Sequence, residues 1–317
     1  MRLAKTMLVS ALAWFAVSSG ADDAMSLDVL LERFGWDFET AEVTTEQVGD
    51  GLYALFGLGG NVAVSIGTDG VLIVDDQFPE MVPKMRAAIE ALGRARGTGG
   101  EINYVINTHW HFDHAQGNLA LGPAGTRILA HANARHDMAR GGLINLVIAK
   151  VRQDPYPEEA LPSITYTRRM QLHFNGQQID LIHAGPAHTT GDTAVVFRGE
   201  NAVHFGDVFV TTGYPFVDVD SGGDIDGMIE FCRTVLDELP EDAVVIPGHG
   251  QLADRAAVEA YVGMLETVRS RVAGLIDQGK TREEVIAARV TAEFDETYGP
   301  ESASLGFVDR VYTSLTK

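Results

Sequence analysis

The chain has 317 residues, of which 45% are hydrophobic and 21% are charged, a balance typical of a globular protein rather than a disordered one. Its formal net charge is −20. Because binding of phosphate groups needs clustered lysine and arginine, this charge argues against nucleic acid as a partner and against an anionic membrane surface.

The N-terminus has the pattern of a secretory signal peptide. Arg2 and Lys5 precede an apolar run over residues 7–17, and the small residues Ser19-Gly20-Ala21 suit a cleavage site. This run is too short to span a bilayer of about 30 Å as a helix, and a buried N-terminal helix is the alternative. We expect a signal peptide over 1–21, a mature domain over 22–317, and a periplasmic or secreted protein with no membrane partner after cleavage.

The first half of the mature chain alternates predicted strands with glycine-rich turns. A short helix is expected over 27–34, and the strands that follow are expected at 53–56, 62–66, 71–74, 102–106 and 127–130. One helix with Val82, Met85 and Ile89 on a single face separates these strands, and another begins near residue 133. Residues 141–163 contain three prolines and are expected to form an insertion or flap.

The second half repeats this order of elements. Its strands are expected at 170–174, 179–182, 194–197, 202–205 and 243–246. A helix precedes the last strand, a long helix follows over about 255–277, and Thr281 with Glu284 forms a capping-box pattern for another. Strands followed by helices in both halves predict an α/β protein in which two sheets pack together with helices outside, in one domain.

The only cysteine, Cys232, excludes an intrachain disulfide. It lies on an apolar stripe at helical spacing, so we expect it to be buried in helix packing rather than to act as a nucleophile or ligand.

Three imidazoles and a carboxylate lie within six residues, directly after the strand at 102–106. They are His109, His111, Asp113 and His114. In an extended turn His109 and His111 project the same way and can share one ion, while Asp113 and His114 turn toward a second position. This nitrogen-rich set suits Zn²⁺, with Fe²⁺ or Mn²⁺ as alternatives.

This motif resembles the HxHxDH signature of the metallo-β-lactamase superfamily. Four further landmarks of that family follow strands in the same order: Asp75, His188, Asp207 and His249. The resemblance covers about residues 50–250. It implies a four-layer αββα sandwich of two mixed sheets with helices outside.

The resemblance also implies a dinuclear zinc centre. The implied ligands of the first ion are His109, His111 and His188. Those of the second ion are Asp113, His114 and His249, with Asp207 bridging the two. It further implies that Asp75 braces the HxHxDH turn and that Asp113 is catalytic, orienting the attacking hydroxide and carrying its proton. The remaining histidines are expected to be structural or solvated, with His131 and His204 as candidates for supporting the ligands: His131, His136, His173, His183 and His204.

The expected reaction is hydrolysis of a carbonyl compound, because two divalent ions can supply hydroxide at neutral pH and no G-x-S-x-G nucleophile motif is present. The expected partner is therefore a small lactam, lactone, ester or thioester. Export favours β-lactams, which enter the same compartment. The loop over 55–60 resembles the mobile flap of zinc β-lactamases, although a tight glycine hairpin explains it equally well.

Two positions depart from the zinc β-lactamases. Many of these enzymes carry cysteine where this chain has Asp207, and a substrate-binding lysine where it has Val210. An aspartate bridge is instead similar to glyoxalase II-like thioesterases and lactonases, so a lactonase or thioesterase is the alternative. Two other classes stay open, a metal- or quinone-binding protein on the same scaffold and a sulfur dioxygenase with a single iron.

Overall fold

The computed structural model describes residues 24–317, so the expected signal peptide lies outside the described residues. Ten α-helices are formed within this range. They are α1 Leu27–Phe34, α2 Val82–Arg96, α3 Phe112–Ala115, α4 Asn118–Leu121, α5 Ala132–Arg140, α6 Ile225–Leu236, α7 Arg255–Asp277, α8 Arg282–Ala287, α9 Asp295–Tyr298 and α10 Glu301–Leu315. Among the described residues, no helix combines the length and apolar character needed to cross a membrane.

The strands are short, and they follow the expected order with a few additions. They are β1 Met25–Ser26, β2 Thr44–Gly49, β3 Leu52–Phe56, β4 Val62–Gly67, β5 Gly70–Val74, β6 Ile102–Ile106, β7 Arg127–His131, β8 Gly142–Asn145, β9 Lys150–Gln153, β10 Ile164–Tyr166, β11 Arg169–Phe174, β12 Gln177–Ile182, β13 Ala194–Phe197, β14 Ala202–His204, β15 Val244–Ile246 and β16 Ala253–Asp254.

Two mixed sheets form the centre of the molecule. The first sheet has the strand order β10-β7-β6-β5-β4-β3-β2, antiparallel from β2 to β5 and parallel from β5 to β10. The second has the order β11-β12-β13-β14-β15-β16 and is antiparallel except between β14 and β15. Both sheets are therefore mixed, as the resemblance implied.

Three apolar layers hold the elements together. Alternate residues of both sheets, such as Leu72 and Ile106 facing Leu181 and Phe197, form the layer between the sheets. The outer faces of the sheets pack against helices, α2 on the first sheet and α6 and α7 on the second, while α1 contacts β1 and β9 and α10 packs on α6, α7 and α8. Because a sheet can bury both faces only when each is covered, this arrangement gives the four-layer αββα sandwich.

The predicted helices over 27–34 and 255–277 agree with α1 and α7, and the Thr281–Glu284 capping box is present at α8. Cys232 is fully buried on α6, as expected. Its thiol has its pKa raised by burial, which makes it a poor nucleophile.

Residues 141–163, expected to form an insertion or flap, contain regular secondary structure. The β8–β9 hairpin joins β1 in a third, three-stranded sheet, and the prediction of only two sheets was incomplete in this respect. Ile144 and Val151 are buried on one face of it, whereas Leu143 and Arg152 are exposed on the other. A strand of two residues such as β1 is too short to show a period in the sequence, which explains why this sheet was missed.

Candidate metal centre

The predicted site residues follow strands whose ends meet at one edge of the sandwich. Asp75 follows β5 and His109 follows β6, and these two strands are parallel neighbours in the first sheet. Asp207 follows β14 and His249 follows β15, which are parallel neighbours in the second sheet. Parallel neighbours end at the same edge, so the fold gathers residues far apart in the chain.

The first group consists of three buried histidines, His109, His111 and His188. His111 Nδ1 lies 2.9 Å from His188 Nε2, and the His109 ring centroid lies 4.7 Å and 4.8 Å from those of His111 and His188. His109 Nε2 is buried and has no hydrogen-bond partner. A buried nitrogen without a partner is costly, and a metal ion at this point would satisfy it.

The second nitrogen of each of these rings is already engaged. The partners are Thr108 Oγ1 at 3.0 Å for His109, Asp218 Oδ2 at 2.9 Å for His111, and the Phe216 carbonyl oxygen at 2.7 Å for His188. Each partner leaves the other nitrogen facing the middle of the group. Such outer hydrogen bonds orient the histidine ligands of metal sites.

The second group consists of Asp113, His114 and His249. His249 Nε2 lies 3.1 Å from Asp113 Oδ2 and 3.1 Å from His114 Nε2. Asp75 Oδ2 lies 2.7 Å from His114 Nδ1, and Asp75 also accepts hydrogen bonds from the Thr108 backbone amide and hydroxyl at 2.7 Å and 2.8 Å. Asp75 therefore has the geometry for the bracing role expected of it.

Asp207 lies between the two groups. Its Oδ1 is 3.1 Å from His114 Nε2 and 3.4 Å from His249 Nε2, and its Oδ2 is 3.8 Å from His188 Nε2. Although Oδ1 is close to these rings, it makes no hydrogen bond of acceptable geometry and is buried. All seven predicted ligands thus converge, in sets of three whose ligand atoms lie within 4.8 Å of one another.

The charges in the centre favour a cation. Burial raises the pKa of the Asp207 carboxyl, but His114 and His249 outweigh this and hold it well below its usual range. The pKa of Asp113 is also lowered, because His114 and His249 again outweigh burial. Burial and the neighbouring rings lower the pKa of His109 well below its usual value, so this ring is neutral. Burial lowers the pKa of His114 and of His249, but Asp207 and Asp113 outweigh it and raise both, so these two rings would lose a proton as a metal binds. Ionised carboxylates and neutral imidazoles are the forms that bind metal, and with those protons released the residues present fit divalent ions.

The loop between β3 and β4 forms a fixed backbone wall beside these residues. Gly60 N donates to the Asp113 carbonyl at 2.9 Å, and Gln77 Nε2 donates to the Gly60 carbonyl at 2.7 Å. A Cβ at Gly60 would lie 2.1 Å from His114 Cε1, and Gly59 has φ of 97°. The tight-hairpin interpretation therefore accounts for these glycines, by close approach and by left-handed backbone.

Of the other histidines, only His204 supports the centre. It is fully buried, its Nε2 donates to the Asn61 carbonyl at 2.9 Å, and its Nδ1 accepts from Gly206 N at 3.1 Å. It therefore ties together the two loops that carry Gly60 and Asp207. The rings of His131 and His183 stack, with their centroids 3.8 Å apart. His136 and His173 are exposed.

The sequence interpretation missed Asp218. Its side chain is fully buried, and burial raises its pKa, but the hydrogen bond with His111 outweighs burial and lowers it. Asp218 follows no predicted strand and lies among other aspartates, so neither spacing nor hydrophobic pattern distinguishes it. Val210 is buried and offers no charge at the site.

Known proteins show similarity over much of the chain. Residues 55–249 match the family model of the metallo-beta-lactamase superfamily. The 2,4-dinitroanisole O-demethylase subunit alpha of Nocardioides sp. is 28% identical over 181 residues, or 56% of this chain and 49% of that protein. The hydroxyacylglutathione hydrolase of Polaromonas sp. is 30% identical over 162 residues, or 50% of this chain and 53% of that protein. The chain thus spans about half the length of these curated relatives.

Two solved structures share the fold. DIM-1 metallo-beta-lactamase superposes with a TM-score of 0.57 at 20% identity, over 71% of this chain and 98% of that one. The sec-alkylsulfatase Pisa1 from Pseudomonas sp. superposes with a TM-score of 0.62 at 15% identity, over 86% of this chain and 50% of that one. The match of the family model over more than half of the chain, on the fold just described, shows that the chain belongs to the metallo-β-lactamase superfamily.

Proposed function

We propose that the protein is a metal-dependent hydrolase with two divalent ions, most suitably Zn²⁺. The observation that carries this proposal is the position of Asp207 between two complete sets of three ligands. One carboxylate oxygen faces His114 and His249 and the other faces His188, which is the placement a bridging ligand needs. When bound, two divalent ions would polarise a carbonyl group and provide a nucleophile from water.

Asp113 is the residue we assign to proton transfer. Its side chain is 15% exposed, whereas that of His114 is fully buried, so Asp113 can be reached from the substrate side. Because its pKa is lowered, it is ionised at neutral pH and can accept a proton from the attacking water. The same carboxyl can return that proton to the leaving group.

The substrate we propose is a neutral ester, lactone or thioester. The Polaromonas relative is named a hydroxyacylglutathione hydrolase, which supports hydrolysis of an acyl compound, and the preference for a neutral one rests on the residues of this chain. Val210 is apolar and 8% exposed, so it cannot bind a substrate carboxylate. A substrate without a negative charge suits such a site.

Opening of β-lactam rings is the second candidate. The observation that favours it is the signal-peptide pattern of residues 1–21, because β-lactams enter the compartment to which such a signal directs a protein. We propose a periplasmic or secreted location on the same ground. A strained lactam carbonyl is open to the same attack, but a β-lactam carboxylate would have no cationic partner at Val210.

Metal analysis tests the centre directly. Protein purified without chelator should contain two equivalents of zinc, and chelation should abolish hydrolysis, which zinc should then restore. One equivalent of iron without zinc would instead favour the sulfur dioxygenase. Full occupancy without turnover of any carbonyl substrate would favour a binding protein.

The substrate class is tested on the zinc-loaded protein by comparing kcat/KM for three compounds, an acyl-homoserine lactone, a glutathione thioester and a carbapenem. We expect the neutral lactone to be turned over best. If the carbapenem exceeds it by more than about a thousandfold, roughly 4 kcal/mol of transition-state preference, the β-lactam candidate replaces the proposal.

A further inference from the structure

The C-terminal helix α10 lies outside the family-matched residues and reaches back to the metal centre through one connecting segment. This 218–225 segment begins at Asp218 and ends at the first residue of α6. Three side chains bind it. Arg310 Nη1 donates to Asp220 Oδ2 at 2.8 Å, Ser314 Oγ accepts from Ile225 N at 3.0 Å, and Lys317 Nζ donates to the Gly223 carbonyl at 2.6 Å. Arg310 and Ser314 lie four residues apart on one face of α10, and Lys317 follows the end of the helix.

The opposite side of the 218–225 segment contacts two histidines of the centre. Asp218 N donates to the His188 carbonyl at 2.9 Å, and the Asp218 carboxylate lies 2.9 Å from His111 Nε2. A Cβ at Gly223 would lie only 2.3 Å from the His188 carbonyl oxygen, so the segment packs tightly on this loop. Its position therefore governs where Asp218 meets His111.

Arg310 is held in one orientation. It is 5% exposed, and its Nε and Nη2 donate to Asp309 Oδ1 at 2.9 Å and 2.6 Å. This fork leaves Nη1 directed at Asp220. A buried guanidinium must keep its partners because an unpaired charge there is costly, and its planar fork fixes their direction. The Arg310 side chain is therefore fixed in place, and the 218–225 segment is hydrogen-bonded to it.

We propose that Arg310 is a positioning residue for the metal centre. Through Asp220, it fixes the 218–225 segment so that Asp218 holds the His111 ring with Nδ1 facing His109 and His188. The proposal rests on the proposed function, because it takes His111 to be a metal ligand.

The test uses the Asp220→Asn variant of the full chain, with Asp226→Asn as the matched control. Both aspartates are half-exposed and each pairs with one arginine, but Asp226 lies on α6, beyond the segment, and pairs with Arg269. Zinc affinity is measured by competition with a chromophoric chelator, and the unfolding midpoint is measured after chelation. Direct hydrogen-bonding partners of metal ligands contribute about ten- to a hundredfold in affinity, and Asp220 acts on His111 only through Asp218, so we expect Asp220→Asn to weaken zinc binding by a smaller factor, roughly three- to tenfold. Asp226→Asn should leave the affinity unchanged.

Ser314→Ala removes a separate contact of α10 with the segment and should weaken zinc binding in the same direction. Affinities of Asp220→Asn and Ser314→Ala equal to that of Asp226→Asn would overturn the proposal, whether or not stability changes. A wild-type protein that binds no zinc would instead refute the proposed function, so the two failures can be told apart.

Discussion

A histidine can bind a metal through either ring nitrogen, and the partner of the second nitrogen decides which one is free. At His111 that partner is Asp218, and at His114 it is Asp75. His111 is thereby left with Nδ1 and His114 with Nε2 for an ion. The two groups of candidate ligands thus depend on carboxylates that lie outside the predicted ligand set.

Removal of a ligand should have a much larger effect than removal of a surface histidine. His111→Ala leaves only His109 and His188 for the first ion, so we expect zinc content to fall and kcat/KM to drop by more than about a hundredfold. His136 is exposed on α5, and His136→Ala is the control. Elemental analysis and kinetics on both variants check this, and similar losses from the two substitutions would contradict the assignment of the ligands.

The stability of protein stripped of metal should fall at alkaline pH. Burial lowers the pKa of His249, but Asp207 and Asp113 outweigh it and raise it to about 10. The unfolded value is about 6.5. The stabilisation is therefore fully present below about pH 6.5 and is lost as the pH rises through about 10. The midpoint of thermal unfolding of the wild type should fall between pH 7 and pH 10, and that of His249→Gln should fall less. An equal fall in the variant would show that His249 is not the source of the pH dependence.

Most of the candidate ligands could be predicted from the sequence because histidine clusters are chemically distinctive and follow apolar strands. Asp218 could not, since its partner His111 lies 107 positions away. An aspartate is common in turns, and nothing local marks one that meets a distant ring.

At the scale of elements, glycine backbone allows the β3–β4 loop to lie directly against the centre. Gly60→Ala should place its Cβ against the His114 ring, and we expect a loss of about 1–3 kcal/mol in stability together with weaker zinc binding. Gly263 on α7 has no neighbour within 4 Å of an added Cβ. Gly263→Ala should instead stabilise the protein by about 0.5–1 kcal/mol, because alanine is the better helix former. Denaturant unfolding measures the stability of both variants, and chelator competition measures their zinc affinity. Stabilisation of the protein by Gly60→Ala as well as by Gly263→Ala would contradict the close approach of the loop to His114.

Helix α6 buries Cys232, whose thiol is 3.8 Å from the Val208 carbonyl oxygen. Cys232→Ser should leave metal content and kcat nearly unchanged, while a hydroxyl in this apolar setting costs about 1–3 kcal/mol. Denaturant unfolding measures the loss. Rapid inactivation of the wild type by a thiol reagent, with the variant resistant, would show that the cysteine is accessible after all.

Helices α1 and α7 could be predicted because an apolar stripe repeats over several turns. The small sheet could not, because β1 has two residues and pairs with β9, more than a hundred positions later. Pairing across such a distance is set by packing on the first layer rather than by local pattern.

At the scale of the whole molecule, the two halves were predicted to form a sandwich because in each half a series of strands is followed by helices. No local pattern in the sequence predicts the contact of α10 with the 218–225 segment. It joins residues about ninety positions apart, Arg310 to Asp220 and Ser314 to Ile225. The C-terminal helices therefore cover the second sheet and also contact the segment that reaches the candidate ligands.

The net charge of −20 should affect which substrates approach the centre. A negative field slows the encounter with anionic substrates and leaves neutral ones unaffected, and salt screens it with a Debye length of about 10 Å at 0.1 M. For a matched pair of substrates, a carboxylate-bearing ester and its neutral amide analogue at the same position, we expect 0.3 M NaCl to raise kcat/KM for the anion by about two- to fivefold. It should leave kcat/KM for the neutral compound unchanged. A fall in kcat/KM for the anion on adding salt would reveal an attractive cation at the site and contradict the proposed preference for neutral substrates.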